Sequence, residues 1–268
     1  MASRRAVLRS YGGPEVLQAE HAETPAPGPG EVLVRVRAAG LCHSDLSVID
    51  GNRPRPVPMV LGHEAAGEVV EPGPGVQDLK KGDRVIMVFV PSCGHCSPCS
   101  EGRPALCEPG NAANGIGELI GGGRRLSAHG KPVHHHVGVS AFAEYAVISR
   151  HSLVKLEADI PHEIAALFGC AVLTGVGAAV NTAKVRAGET VAVVGLGGVG
   201  GQRLREEQQP LLGEPQCGEH RGVEQGAGRA GEQHQAGGGG QRHGADCSTR
   251  PIGLRMRGSA TRGRYAAP

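Results

Sequence analysis

The sequence is poor in aromatic residues and has almost no excess of charge of either sign. Its 268 residues include no tryptophan, three phenylalanines and three tyrosines, and the formal net charge is +2. Proteins that bind single-stranded nucleic acid stack bases on aromatic side chains, and duplex binders gather arginine and lysine on one surface. Because the sequence offers neither feature, it predicts no nucleic-acid partner.

The chain also lacks a secretory leader and a strongly apolar span. Residues 1–5 are followed by a strand-like run, so we expect a cytosolic protein. Residues 164–183 carry no charged side chain over about the length that a bilayer requires. Several glycines and threonines and Asn181 interrupt this stretch, which therefore predicts a buried core helix and no membrane partner.

Four cysteines fall inside fifteen residues, which is the densest chemical feature of the sequence. Two gaps of two residues are followed by a longer arm, the arrangement with which a loop wraps a structural zinc ion in four thiolates. Two alternatives remain open. Disulfides suit small secreted domains, and ferredoxin-like iron–sulfur motifs place the fourth cysteine after three residues, directly before proline. The cysteines are Cys93, Cys96, Cys99 and Cys107.

Residues 1–160 have the pattern of a β-rich domain. The run 32–37 alternates apolar and charged side chains after a Pro/Gly turn, and the runs 67–71 and 82–90 follow in the same style. Short strands separated by Pro/Gly turns favour a compact barrel-like fold. Three adjacent histidines, His134 to His136, follow a glycine-rich stretch, and we expect them in a solvated loop.

Two more cysteines and a histidine stand apart in this half of the chain. A single Cys or His is usually inert packing. Taken together, Cys42, His63 and Cys170 supply two sulfurs and one imidazole nitrogen. That set holds a catalytic zinc ion while leaving a fourth position for water or substrate.

The motifs together resemble the zinc-dependent medium-chain alcohol dehydrogenases over residues 1–201. The run from Gly62 through His63 and Glu64 to Gly67 resembles the signature of that family, and the four clustered cysteines match its structural zinc lobe at about 91–110. The resemblance implies an α+β to α/β fold. A β-rich, chaperonin-10-like (GroES-like) catalytic domain would occupy 1–160, and a Rossmann domain would begin at 161–201.

The resemblance also implies roles for residues around the second metal ion. Cys42, His63 and Cys170 match the ligands of the catalytic zinc, and Glu64 matches a carboxylate that can approach it. Asp45 matches the partner of the ligating histidine, where a carboxylate fixes the tautomer. Ser44 matches the hydroxyl of a proton relay and Ser47 stands where the family commonly has a histidine that ends it. His43 matches a contact to the cofactor pyrophosphate.

A glycine motif follows an apolar strand-like run at 190–194. The G-x-G-x-x-G pattern in this position is typical of dinucleotide-binding turns. The resemblance implies that Thr174 and Val199 flank the nicotinamide of NAD or NADP. The remaining motif residues are Gly195, Gly197, Gly198 and Gly200.

Residues 202–268 differ in composition from everything before them. This part contains no Lys, Asn or Phe and is dominated by Gly, Arg, Gln, Glu and His. Such a stretch buries too little apolar surface to order itself, so we expect disorder and interpret the segment as out-of-frame translation or a degenerate tail. The strand at 191–194 would then have no parallel neighbours and would expose an edge. The family forms homo-oligomers, and we expect those subunit contacts to be lost here.

The sequence therefore favours an oxidoreductase that transfers hydride between a primary or secondary alcohol or aldehyde and NAD or NADP, with one catalytic and one structural zinc. Two alternatives stay open. One is a catalytically inactive zinc-binding fragment of the family. The other is a related dehydrogenase that acts on a glutathione adduct, a polyol or an amino alcohol.

Overall fold

The computed structural model describes residues 2–195, 197–200 and 252–255, and it divides the chain into two compact units, 1–177 and 178–268. The first unit is mostly β-structure. Its strands are β1 (Ala2–Leu8), β2 (Leu17–Glu23), β3 (Glu31–Gly40), β4 (Met59–Val60), β5 (Glu64–Pro72), β6 (Arg84–Met87), β7 (Leu126–Ala128), β8 (Lys131–His135), β9 (Tyr145–Ser149) and β10 (Leu153–Lys155).

Short helices connect these strands. The α-helices of the first unit are α1 (His43–Ile49), α2 (Ser97–Ser100), α3 (Glu108–Ile116), α4 (His162–Ala165) and α5 (Ala171–Gly177). Four 3-10 turns accompany them at Pro14–Val16, Pro104–Leu106, Arg150–Ser152 and Ala166–Gly169.

The strands form two five-stranded sheets, in the orders β2-β1-β4-β8-β7 and β10-β6-β5-β3-β9. All neighbours in the second sheet are antiparallel, and β4 with β8 is the parallel pair in the first sheet. The three runs expected to be strands at 32–37, 67–71 and 82–90 lie in β3, β5 and β6, although β6 is the shorter one. The predicted β-rich fold is confirmed.

The largest core cluster lies against the second sheet. Val32 and Val34 of β3 are fully buried beside Val69 of β5, Met87 of β6 and Ile148 of β9. On β3, residues after Val34 alternate between half-buried and exposed, so one face of this strand turns to the core as the sequence pattern predicted.

Gly67 allows the two longest paired strands to approach closely. A Cβ atom at this position would overlap the carbonyl oxygen of Arg35 and lie 2.8 Å from the side chain of Val34. The pairing of β3 with β5 shifts register between Val36 and Ala38, where Val36 is opposite Gly67. A side chain at position 67 would therefore force the two strands apart at this irregularity.

The histidine run is not a solvated loop, and that prediction is wrong. His134 and His135 end β8, which pairs with β4 on one side and β7 on the other in the first sheet. His135 is 1% exposed and His136 is 4% exposed. The Arg125 amide donates to Nε2 of His135 at 3.2 Å. Burial lowers the pKa of His135 to about 3, and the nearby cations of Arg5 and Arg125 add to the effect.

The helical segment after residue 160 belongs to the first unit. Ala165 and Ala166 pack against Ala66 of β5 and Ile86 of β6, which places α4 and the turn that follows it on the second sheet. The expected domain boundary at 160 thus precedes the observed division after Gly177. The residues just after 160 belong to the first unit because their apolar side chains pack on the second sheet.

The second unit contains a π-helical turn at Ala178–Thr182 and two strands, β11 (Thr190–Val193) and β12 (Ile252–Arg255). They pair antiparallel, with Thr190 opposite Arg255. The strand expected to lack parallel neighbours thus has an antiparallel partner, formed by four residues of the compositionally distinct tail. The remaining predictions for 202–268 lie outside the described residues.

No single helix among the described residues is long and apolar enough to cross a bilayer. By length and composition, His162–Gly169 and Ala171–Thr182 pass that test only as a bent pair.

We predict that Gly67→Ala destabilises the protein by about 1–3 kcal/mol, because a methyl group there overpacks two strands. The measurement is the urea-induced unfolding of the first unit. Gly115→Ala is the matched control. Gly115 lies on the exposed face of α3, where a Cβ would meet nothing within 4 Å. Alanine in a helix interior should stabilise by up to about 1 kcal/mol. Equal effects of the two substitutions would contradict this view of Gly67.

We also predict that His135 weakens the fold in acid. In the folded protein its pKa is about 3, whereas an unfolded histidine has a pKa near ~6.5. Between pH 6.5 and pH 3, His135 is protonated in the unfolded chain but stays neutral in the folded protein. The free energy of unfolding therefore decreases as the pH falls through this range. His135→Gln should flatten the fall in unfolding free energy between pH 6.5 and 4.5, by at most about 1.4 kcal/mol per pH unit. His134→Gln should keep the wild-type slope, and parallel curves for His135→Gln and wild type would refute the prediction.

Candidate metal centres

Four cysteine sulfurs meet in the segment between β6 and α3. The Sγ atoms of Cys93, Cys96, Cys99 and Cys107 all lie within 4.8 Å of one another. Two of these residues start short helices: Cys96 precedes α2 and Cys107 precedes α3. The chain changes direction where α2 and α3 begin, and these two turns within fifteen residues bring the four sulfurs together.

Backbone amides donate to two of the four sulfurs in this cluster. Sγ of Cys107 accepts from the amides of Cys93 at 3.2 Å and Gly110 at 3.4 Å, and Sγ of Cys93 accepts from the Cys96 amide at 3.3 Å. Amide hydrogen bonds, from His95 first, lower the pKa of Cys93 to about 7. Desolvation raises the pKa of Cys99 to about 12, with its three neighbouring thiols adding to the rise. Four sulfurs at this separation fit the tetrahedral ligand set of structural zinc.

A second cluster joins residues from three distant parts of the chain. One sulfur from Cys42, one nitrogen from His63, a carboxylate oxygen of Glu64 and the sulfur of Cys170 all lie within 4.8 Å of one another. His63 and Glu64 are each 4% exposed and Cys170 is 8% exposed. The three predicted zinc ligands are thus brought together, with the predicted carboxylate beside them.

Local structure explains how two of these donors are aimed. Cys42 is the N-cap of α1, in a capping box with Asp45: its side chain accepts from the Asp45 amide, and the Asp45 carboxylate accepts from the Cys42 amide at 3.3 Å. Cys170 follows Gly169, where a Cβ would overlap the carbonyl oxygen of Met87. The absence of a side chain at Gly169 lets Cys170 approach the end of β6.

Asp45 orients the imidazole of the cluster. Its Oδ1 lies 3.2 Å from Nδ1 of His63, and both side chains are buried. Burial opposes ionisation of Asp45, but hydrogen bonds from His136 and His63 outweigh it and hold the pKa of Asp45 well below its ordinary value. Burial likewise opposes a charge on His63, yet Asp45 and Cys170 raise its pKa to about 11.

The donors around His63 are suited to a cation. His63, Glu64 and Cys170 are buried and Cys42 is half-buried, and together they gather two sulfurs, one imidazole and a carboxylate beside the carboxylate of Asp45. With Nδ1 engaged by Asp45, Nε2 is the nitrogen of His63 that remains for a metal. Two sulfurs, one nitrogen and a nearby carboxylate fit zinc with one position open to substrate.

The other residues predicted around this centre lie near α1 and α5. Ser44 is half-buried and His43 is exposed, both in the first turn of α1, and Thr174 is exposed on α5. The hydroxyl of Ser47 donates to the backbone carbonyl of His43 at 3.1 Å.

The glycine motif lies in the second unit, directly after β11. Gly195 has a φ of +87°, and residues 198–200 are helical, so the chain turns sharply from strand to helix. A Cβ at Gly200 would overlap the carbonyl oxygen of Gly195, whereas a Cβ at Gly197 or Gly198 would meet nothing within 4 Å. The first and last glycines close the turn and the middle two leave its surface open. Val199 is exposed on the helical residues.

Sequence reasoning missed His136, which lies against the second cluster. Its ring meets that of His63 edge to face, with centroids 5.4 Å apart, and its Nδ1 lies 3.3 Å from Oδ1 of Asp45. A run of three histidines does not indicate which side chain is buried beside the metal site. That depends on where β8 ends, directly before His136.

The sequence matches a known domain family and known relatives. The alcohol dehydrogenase GroES-like domain matches residues 28–158. The S-(hydroxymethyl)glutathione dehydrogenase of Escherichia coli O1:K1 is 43% identical over 201 residues, which are 75% of this chain and 54% of that protein.

Solved structures give the same result. An alcohol dehydrogenase zinc-binding domain protein from Burkholderia ambifaria has a TM-score of 0.65 at 41% identity, over 70% of this chain and 50% of that one. Benzyl alcohol dehydrogenase from Acinetobacter calcoaceticus has a TM-score of 0.65 at 34% identity, over 75% and 53%. The chain spans about half the length of the relatives that it matches.

We predict that Cys107→Ser removes one zinc ion per chain, because Cys107 is a fully buried member of the four-sulfur cluster and serine is a poor zinc ligand. Zinc per chain, measured by elemental analysis of the purified protein, should fall from two to one, and the thermal midpoint should fall with it. Ser100→Ala, on an exposed neighbour in the same loop, should leave both values unchanged. Full zinc content in Cys107→Ser would refute the assignment.

Proposed function

The chain belongs to the zinc-dependent medium-chain alcohol dehydrogenase family, and from that premise we propose that it transfers hydride between a primary or secondary alcohol or aldehyde and NAD or NADP. The observation that carries the proposal is the buried cluster of Cys42, His63, Glu64 and Cys170, whose donor atoms lie within 4.8 Å of one another. A donor set of this kind is suited to one metal ion with an open side.

Each member of the cluster has its own task. Cys42 and Cys170 supply sulfur from distant parts of the sequence, and Asp45 holds His63 by Nδ1 so that Nε2 would be presented to the metal. A zinc ion held there would supply Lewis-acid polarisation of the substrate oxygen. Glu64 adds a second negative charge beside the thiols, which strengthens the attraction for a divalent cation.

The proton of the alcohol needs a route out of the site. We assign the first step to Oγ of Ser44, which is half-buried two residues after Cys42. The hydroxyl proton of Ser47 is engaged by the carbonyl of His43 at 3.1 Å, so Ser47 does not donate onward. The proton therefore leaves Ser44 for water at the exposed first turn of α1.

The cofactor proposal rests on the glycine turn. Gly195 and Gly200 give the close strand-to-helix turn, and the open backbone at Gly197 and Gly198 is suited to approach by a pyrophosphate. From the family resemblance, we assign Val199 in this turn to the nicotinamide.

A second candidate substrate is a glutathione adduct. The 43% identical relative is named for S-(hydroxymethyl)glutathione, whereas the benzyl alcohol dehydrogenase is 34% identical. Both reactions use the same metal chemistry, so they differ only in the residues that hold the rest of the substrate.

We further propose that the protein works in the cytosol. All six described cysteines are free, and both clusters need reduced thiols, which the cytosol maintains.

We predict two zinc ions per chain and NAD- or NADP-dependent oxidation of benzyl alcohol, followed as cofactor absorbance. Cys170→Ala should leave one zinc and lower kcat/KM by at least about 10³-fold, because the remaining donors no longer close the site. Ser44→Ala should keep both zinc ions and lower kcat by about 10²-fold, the loss typical of a positioned proton-transfer group.

The outcomes separate the candidates. A higher kcat/KM for formaldehyde mixed with glutathione than for benzyl alcohol would select the adduct. Two zinc ions without binding of either cofactor would replace the enzyme with an inactive zinc-binding protein. Unchanged zinc content in Cys170→Ala would overturn the proposed metal site itself.

A further inference from the structure

One carboxylate oxygen lies between two buried imidazoles. Oδ1 of Asp45 is 3.2 Å from Nδ1 of His63 and 3.3 Å from Nδ1 of His136. Asp45, His63 and His136 are 2%, 4% and 4% exposed. His136 contributes no ligand to the four-donor cluster, yet it contacts both the imidazole of that cluster, His63, and the carboxylate that orients it, Asp45.

Backbone amides fix the carboxylate from the other sides. The amide of Gly62 donates to Oδ1 at 3.2 Å, and the amide of Cys42 donates to Oδ2 at 3.3 Å. A carboxylate that is buried in an apolar surround loses water on every side and stays ionised only where donors replace that water. Asp45 therefore needs all of the donors directed at it.

Nδ1 of His136 faces this carboxylate. Nδ1 of His136 is buried and makes no well-aligned hydrogen bond with any described residue. A lone pair on Nδ1 would face the negative oxygen and be repelled, so the proton belongs on Nδ1. An N–H dipole 3.3 Å from a charged oxygen in a dry pocket attracts it even where the alignment is imperfect.

His136 also limits how His63 can turn. The two rings meet edge to face at 83°, and Phe89 also meets His63 edge to face at 80°, with centroids 5.6 Å apart. Two rings therefore contact His63 while Asp45 binds its Nδ1. These contacts restrict rotation of the His63 ring.

On the basis of the proposed zinc site, we propose that His136 is a positioning residue, whose Nδ1–H holds Asp45 against His63 and thereby keeps Nε2 of His63 aimed at the metal. His136 is not among the four donors of that site. The partners of ligating histidines commonly change metal affinity by about 10- to 100-fold when they are removed. Acting one step further out, His136 is expected at the lower end of that range.

The test measures metal binding without reference to turnover. Cobalt(II) is titrated into the metal-free protein, and its absorbance separates a site with four sulfurs from one with two sulfurs and a nitrogen. His136→Leu removes the donor and keeps a side chain of similar bulk. His136→Asn keeps an N–H donor near the position of Nδ1. His134→Leu is the control, because Nδ1 of His134 lies 3.0 Å from the carbonyl of Ile116 and away from Asp45.

We expect His136→Leu to bind cobalt at the two-sulfur site about 10-fold more weakly, and His136→Asn and His134→Leu to stay within about 3-fold of wild type. The four-sulfur site should be unchanged in all variants, which reports within the same molecule that the first unit is folded. Equal affinity in His136→Leu and wild type would overturn the inference, and so would equal loss in His136→Leu and His136→Asn, which would indicate packing alone.

These failures differ from a failure of the proposed function. Wild-type protein that binds no cobalt at the two-sulfur site would overturn both. If wild type and His136→Leu bind cobalt at the two-sulfur site with equal affinity, the proposed zinc site is retained. Only the role of His136 is then rejected.

Discussion

The arrangement of the metal site depends on keeping one buried carboxylate charged. Asp45 is almost completely removed from water, and an ionised carboxylate in such a place is costly unless donors surround it. The amides of Cys42 and Gly62 and the rings of His63 and His136 do so. The Cys42 amide and the His63 ring belong to ligand residues, and Gly62 directly precedes His63. Satisfying the carboxylate therefore also places two of the ligands, Cys42 and His63.

Rigid surroundings turn three distant donors into one cluster. Cys42 caps α1, His63 comes immediately before β5, and Cys170 comes just past the turn that packs on β6. Both strands belong to the second sheet, whose core is closed by aliphatic side chains. The close approach at Gly169 sets the last donor against that sheet. Metal binding at this site therefore depends on the positions of these strands as well as on the ligands, because a displaced strand would separate the donor atoms.

The two metal clusters illustrate different degrees of predictability. Cys93, Cys96, Cys99 and Cys107 are neighbours along the chain, so their spacing alone indicates that they can surround an ion. Cys42, His63 and Cys170 were grouped by donor type and by the family resemblance, since no spacing rule joins residues so far apart. One expectation failed for a related reason. The burial of His135 and His136, like the pairing of β11 with β12, comes from neighbours that are remote in sequence.

The sequence by itself determined the β-rich pattern, the four-cysteine loop and the glycine turn, because each depends on alternation, spacing or backbone freedom within a short stretch. Only the tertiary structure decided which histidine faces Asp45, how far the first unit extends past residue 160, and how Gly169 admits Cys170. The physical reason is that burial and close contact are relations between segments. A side chain acquires them from the strands and rings that pack around it.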